Sequence, residues 1–175
     1  MASDTFTLYN QAITFAASKN MNALLNGGSN VLRVARVGLL NAQTAAVTGV
    51  VCFMELRWYP ATATLTSPTA VTPVAHDSTN AALSSVTAGN SGTAGGSTPV
   101  VLRRVFWSSD EPAISAATSD ELETYVPLNV VWDAGYGDTD VQKLALRTGQ
   151  MLTTFNTTGA AGLLDSWVEF TNAAS

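Results

Sequence analysis

Asp133, Asp138 and Asp140 stand together in the stretch "WDAGYGDTD", which also holds two glycines and two aromatic rings. Three carboxylates this close could gather oxygen ligands for Ca²⁺ or form an acid cluster. The spacing misses the EF-hand pattern, which needs ligands at alternate positions and a closing glutamate. The structural alternative gives Gly135 and Gly137 the unusual backbone dihedrals. The aspartates then bond local backbone amides, and Tyr136 covers a neighbouring surface. With strand-like sequence on both sides ("VPLNVVW" and "VQKLALR"), the expectation is an inter-strand loop that neither reacts nor binds metal.

The other reactive side chains are few. His76 is the only histidine and lies in a low-complexity stretch, a poor place for preorganised chemistry. Cys52, the only cysteine, sits in an apolar run and reads as a small buried hydrophobe, because nothing near it in sequence would lower its pKa. No GxGxxG, GxxxxGKS, HExxH or CxxC spacing occurs. The glycine pair in "AGGS" at Ala94 follows no strand-and-helix context and reads as flexible loop. Asp110 and Glu111 precede Pro112 as a turn. Asp120, Glu121 and Glu123 suit the first turn of a short helix in "TSDELETY", capped by Thr118 or Ser119. No catalytic, cofactor-binding or metal-ligating residue is assigned. The chain is read as a non-enzyme without a cofactor.

Composition narrows the function further. Charged residues are 12% of the 175, against roughly 25% in an average soluble protein. The net charge is −5, with two lysines and six arginines, so there is no basic stripe for phosphates and nucleic-acid binding is not expected. No run approaches the roughly 18 apolar residues of a membrane helix. "MASDTFTLYN" lacks a signal-peptide pattern, so synthesis in a cytoplasm is expected.

The elements that must hold these residues are strands. In "VVCFMELRWY", Cys52, Met54, Leu56 and Trp58 share one face. Val51, Phe53, Glu55, Arg57 and Tyr59 share the other. "VVLRRVFWS" places Val100, Leu102, Arg104 and Phe106 on one face and Arg103 on the opposite one. "GLLDSWVEFT" sets Leu164, Val168 and Phe170 against Asp165, Trp167 and Glu169. In "VLRVARVGLLNAQ", Arg33 and Arg36 have opposite parity, which a bulge or bend near Ala35 would reconcile. Turn signals recur at "NGGSN", "NAQTAAVTG", "RTGQ" and "TTGAAG". The pattern predicts one all-β domain over 1–175, an antiparallel β-sandwich or jelly roll.

Within it, 61–98 is a long Ala/Thr/Ser/Gly-rich insertion. It reads as a surface insertion, as an arm onto a neighbouring subunit, or as a ribbon of weak strands around "TAVTPVAHD". Phe6 and Leu8, then Ile13 and Phe15, alternate weakly. They mark a first strand completing a sheet, or an arm that pairs with another chain.

Three segments carry a family resemblance: "NVLRVARVGLLNAQTAAVTGVVCFMELRWYP", "VVLRRVFWSSDEPAIS" and "LNVVWDAGYGDTDVQKLALRTGQMLTTFNTTGAAGLLDSWVEFT". Together they resemble the decoration (cement) or head-projection proteins of tailed bacteriophages. The resemblance implies a virion structural protein on the outer capsid surface. Its partner would be the major capsid protein, it would reinforce capsomer junctions, and it would form a homo-oligomer, a trimer being favoured. The second reading is a β-sandwich module of a head fibre or tail that recognises a host-surface glycan through Trp58, Tyr59, Trp107, Trp132, Tyr136 and Trp167. A cupin-type enzyme fails for want of histidines.

Overall fold

A computed structural model describes residues 4–14, 17–42, 51–108, 128–135, 142–157 and 162–173. Among these there are fourteen strands and no helix. The first four are β1 (Asp4–Thr14), β2 (Lys19–Asn26), β3 (Val31–Asn41) and β4 (Val51–Tyr59). Five short ones follow: β5 (Thr64–Thr66), β6 (Thr69–Ala70), β7 (Val74–Ala75), β8 (Val86–Asn90) and β9 (Thr93–Gly95). The last five are β10 (Val100–Ser108), β11 (Leu128–Asp133), β12 (Leu144–Leu146), β13 (Gln150–Asn156) and β14 (Leu163–Ala173). One antiparallel sheet runs β11-β3-β14-β1-β7, with β12 pairing the same edge of β3 beyond β11. The other runs β10-β4-β13-β2-β8-β6. Strands β5 and β9 form a separate ribbon.

The two sheets enclose one apolar layer. The first contributes Phe6, Leu8, Val34, Val37, Leu164, Val168 and Phe170, and the second Met21, Leu24, Met54, Leu56 and Leu152. The rings of Phe6 and Phe170 stack at 5.8 Å. Each such side chain, fully buried, contributes about 1.5–3 kcal/mol. The alternation expected for β14 is therefore observed, and so is the inward set of Met54 and Leu56 on β4. Strand β1 pairs β14 within the same chain, so it completes the sheet.

Bulges keep these patterns in phase. On β3 the partners of Glu169 and Phe170 are Arg36 and Val34, so Ala35 is the extra residue. Its insertion puts Arg33 and Arg36 on the same outer face, as their parity required. A second bulge corrects the sequence reading of β10. Val101 pairs Arg57 while Arg103 pairs Leu56, leaving Leu102 as the extra residue. Leu102 turns inward and packs against the core, separated from Arg104 and Phe106. A one-residue insertion reverses every later side chain, which uninterrupted alternation could not reveal.

Segment 61–98 contains the short strands β5 to β9. Strand β7 pairs β1 and β8 pairs β2, so the segment extends both sheets. The β5–β9 ribbon lies on the outer side of the second sheet. There Leu65 and Ala94 pack on a small cluster of Ala23, Tyr59, Ala63 and Met151.

Two polar side chains pin the ends. Asn26 donates from Nδ2 to Asn30 O (2.7 Å) and Leu146 O (2.8 Å), and its Oδ1 accepts from Gly28 N (3.0 Å). Asn22 Nδ2 donates to Ser166 Oγ across the two sheets at 3.1 Å. At "RTGQ", Gln150 N donates to Arg147 O at 3.0 Å, with Gly149 at φ +74°. This dihedral is open to glycine at no steric cost. The helical turn expected in "TSDELETY", and most of "NAQTAAVTG" and "TTGAAG", lie outside the described residues.

Gly38 is required by a close approach. It pairs Trp167 across β3 and β14, and a Cβ there would come within 2.1 Å of the indole ring. Gly38→Ala should therefore displace Trp167 and lower stability by about 1–3 kcal/mol, the usual cost of overpacking. Urea unfolding followed by tryptophan fluorescence would measure both effects.

Candidate functional site

The carboxylates of "WDAGYGDTD" separate on folding. Asp133 ends β11, accepts from Gly135 N at Oδ1 (2.8 Å) and pairs with Arg36 at 3.2 Å. Gly135 takes φ +70°. Asp133 thus ties down a local amide, as expected. Its carboxyl is held below the usual carboxylate range by the Gly135 amide, against a small burial effect, with help from Arg36. Tyr136, Gly137, Asp138 and Asp140 lie outside the described residues, as do Asp110, Glu111, Asp120, Glu121 and Glu123.

His76 is not a free loop histidine. Its backbone N–H donates to Thr5 O (2.9 Å), and its Nε2 lies 2.7 Å from Thr7 Oγ1. Pairing of β7 with β1 delivers it there. The backbone of Cys52 lies in β4 opposite Trp107, and its side chain is outside the described residues. Among the described residues no three His, Cys, Asp or Glu side chains converge for a metal ion, and no helix is long and apolar enough to cross a membrane. A cavity of about 520 Å³ opens where the β6 and β7 edges part. Phe6, Val71, Leu83 and Val86 line it, with Thr72 and Asn80 among its polar groups.

Charged and aromatic groups converge instead on the outer face of the second sheet, at the end the β5–β9 ribbon does not roof. Residues 53, 55 and 57 of β4 alternate onto that face, and pairing brings Phe106, Arg104 and Val101 of β10 beside them in that order. From the other side β13 supplies Phe155 beside Glu55. Phe53 and Phe106 meet edge to face, with centroids 6.1 Å apart at 76°. Arg104 lies 5.6 Å from the Phe53 ring and Arg57 3.5 Å from that of Phe155, both within cation–π range.

Glu55 is the hub. Its Oε2 accepts from Arg57 Nε (2.8 Å) and Nη2 (2.7 Å), and its Oε1 from Arg104 Nε (3.1 Å) and Nη2. Its side chain is only 4% exposed, so burial opposes ionisation. The hydrogen bonds and charges of Arg104 and Arg57 outweigh that, holding the carboxyl below its usual range. Phe106 and Phe53 remain 58% and 44% exposed and Val101 47%. Large apolar side chains left in water around arginines have the composition of interface anchors.

Sequence reasoning placed Phe53, Glu55 and Arg57 on one face but missed the convergence with Arg104 and Phe155. That depends on pairing across 49 positions in one case. Of the rings named for glycan stacking, Trp58 and Trp132 pack against the core, Tyr59 is buried beneath the ribbon and Trp167 lies over Gly38. Trp107 and Tyr136 side chains are outside the described residues. No protein-family model, curated protein or solved structure matches the chain.

Two titrations follow from this geometry. The native pKa of Glu55 lies below the ordinary 4.5, so its contribution to stability is complete above pH 4.5 and is lost as pH falls through the depressed value. Urea midpoints of the wild type should drop more steeply below pH 4.5 than those of Glu55→Gln. On the first sheet, Tyr9 is pushed up to about 12 from 10.0 by its hydrogen bond to Asp165, with burial and the carboxylate charge adding to it. Its contribution is complete below pH 10 and is lost as pH rises through about 12. Phenolate absorbance should report Tyr9 as a late-titrating tyrosine that Asp165→Asn shifts back toward 10.

Proposed function

We propose that the chain is a virion structural protein, a capsid decoration subunit that binds the outer surface of a phage head and stabilises capsomer junctions. The observation that carries this reading is the solvent-facing cluster of Phe53, Phe106, Arg104 and Val101 on a rigid sheet. Such a surface is suited to docking. The low charged fraction, 12%, agrees with a chain whose polar surface is partly covered by neighbours.

The mechanism is mass action. A subunit that binds the assembled shell and not free capsid protein shifts the equilibrium toward the shell. As a homo-oligomer, a trimer being the favoured form, it adds several weak contacts into strong attachment without any tight single site. Purified chain should co-sediment with capsids assembled without it and raise their disruption temperature; absence of co-sedimentation would refute the proposal. Phe106→Ser should weaken attachment about tenfold or more while leaving the subunit's own melting temperature nearly unchanged, because the ring is already largely in water.

A further inference from the structure

The geometry of the Glu55 cluster points to the kind of group its partner presents. Two guanidiniums share one carboxylate: Arg57 occupies Oε2 and Arg104 occupies Oε1. Both oxygens of Glu55 are taken, yet the triad keeps a net positive charge. Arg104 is 58% exposed, so that charge faces solvent beside the Phe53–Phe106 ring pair. Arg103 turns to the other face of β10, donating to Val131 O at 3.3 Å and lying 5.7 Å from the Trp132 ring of β11. Among the described residues this corner sets two arginines, Arg57 and Arg104, against one acid, Glu55. A positive, aromatic corner on an acidic protein is electrostatically complementary to a partner of opposite sign.

We propose that this corner receives a carboxylate carried among apolar residues on the surface of a different protein, completing the Arg57–Glu55–Arg104 cluster with a second anion. The inference rests on the reading of the chain as a docking subunit and names what it docks onto. A two-fold contact centred on this corner would set Arg104 against Arg104, and like charges facing each other in an interface cost affinity. An inorganic anion would leave the Phe53, Phe106 and Val101 surfaces uncovered. A protein carboxylate flanked by apolar side chains satisfies both halves of the site.

Val101 provides the test, because it is exposed and stands across from Arg57 on the same face. Val101→Glu supplies the missing carboxylate from within the chain. Val101→Lys places the opposite charge on the same backbone position with similar bulk. The probe is capsids assembled without this chain, and binding is measured over a NaCl series with thermal melts of each variant. Val101→Glu should melt no lower than Val101→Lys, bind about tenfold or more weakly than wild type, and lose part of the salt dependence. Val101→Lys should bind at least as well as wild type. Equal loss in both variants would mean a steric apolar contact without a carboxylate, and no change in either would place the contact elsewhere; each overturns the inference alone. An oligomer seen by light scattering that Val101→Glu dissolves would make the occupant a second copy, which also overturns it. Wild-type protein that does not bind capsids removes the functional reading and this inference with it.

Discussion

Two twisted sheets can share one apolar layer only if every strand keeps its inward side chains in phase along its whole length, and the rest of this structure depends on that phase. An eleven-residue strand such as β3 cannot drift by one residue without turning its leucines and valines to water. Ala35 is where the correction is made. The bulge there lets Leu32 and Val34 on one side, and Val37 and Leu39 on the other, face the same core. Its carbonyl stays paired, accepting from Ala134 N at 2.8 Å, so the bulge does not strand it. Register shifts recur at Met21, Leu102, Val131 and at Gln11–Ala12, where the Ala12 amide is caught by Asp165. Bulges also strengthen local twist, which helps the two sheets wrap the layer between them.

The outer faces of the two sheets then acquire different characters. On the first, Arg36 sits between Asp133 and Glu169 in a row that crosses three strands, and Trp167 covers Gly38 in the next row. These groups find their partners within the chain. On the second sheet the ribbon from 61–98 roofs the end bearing Tyr59 and Met151. The row of Arg104, Glu55 and Phe155 lies beyond that roof. A buried carboxylate between two arginines holds the side chains of that row in one arrangement, since breaking such a pair leaves an uncompensated charge. The adjoining Phe53 and Phe106 gain a fixed edge-to-face geometry at the surface. Rigidity of this kind reduces the entropy lost on binding, which favours the surface as a docking element.

How much was legible depends on whether a feature leaves a local trace. The Ala35 bulge did, because Arg33 and Arg36 cannot both face water without it. The Leu102 bulge did not, since "VVLRRVF" reads equally well as an unbroken strand. The loop role of Asp133 was visible in its neighbouring glycine, whose φ of +70° lets the Gly135 amide return to the carboxylate. His76 looked unanchored because its partners, Thr5 and Thr7, lie about seventy positions away. The candidate site was half visible: Phe53, Glu55 and Arg57 share a face by period two alone, while Arg104 and Phe155 arrive through pairing with β10 and β13.

By itself the sequence determined the all-β class, the inward faces of β4 and β14, the turn at "RTGQ" and the low density of charge, because each follows from side-chain alternation or from backbone preferences that act over a few residues. Only the tertiary structure decided where the ribbon lies, which strand edges 61–98 extends, and which arginines share Glu55. Those outcomes rest on contacts between residues far apart in the chain. Their free energy comes from burying surface and pairing charge across strands, and no local pattern encodes which distant strand will supply the partner.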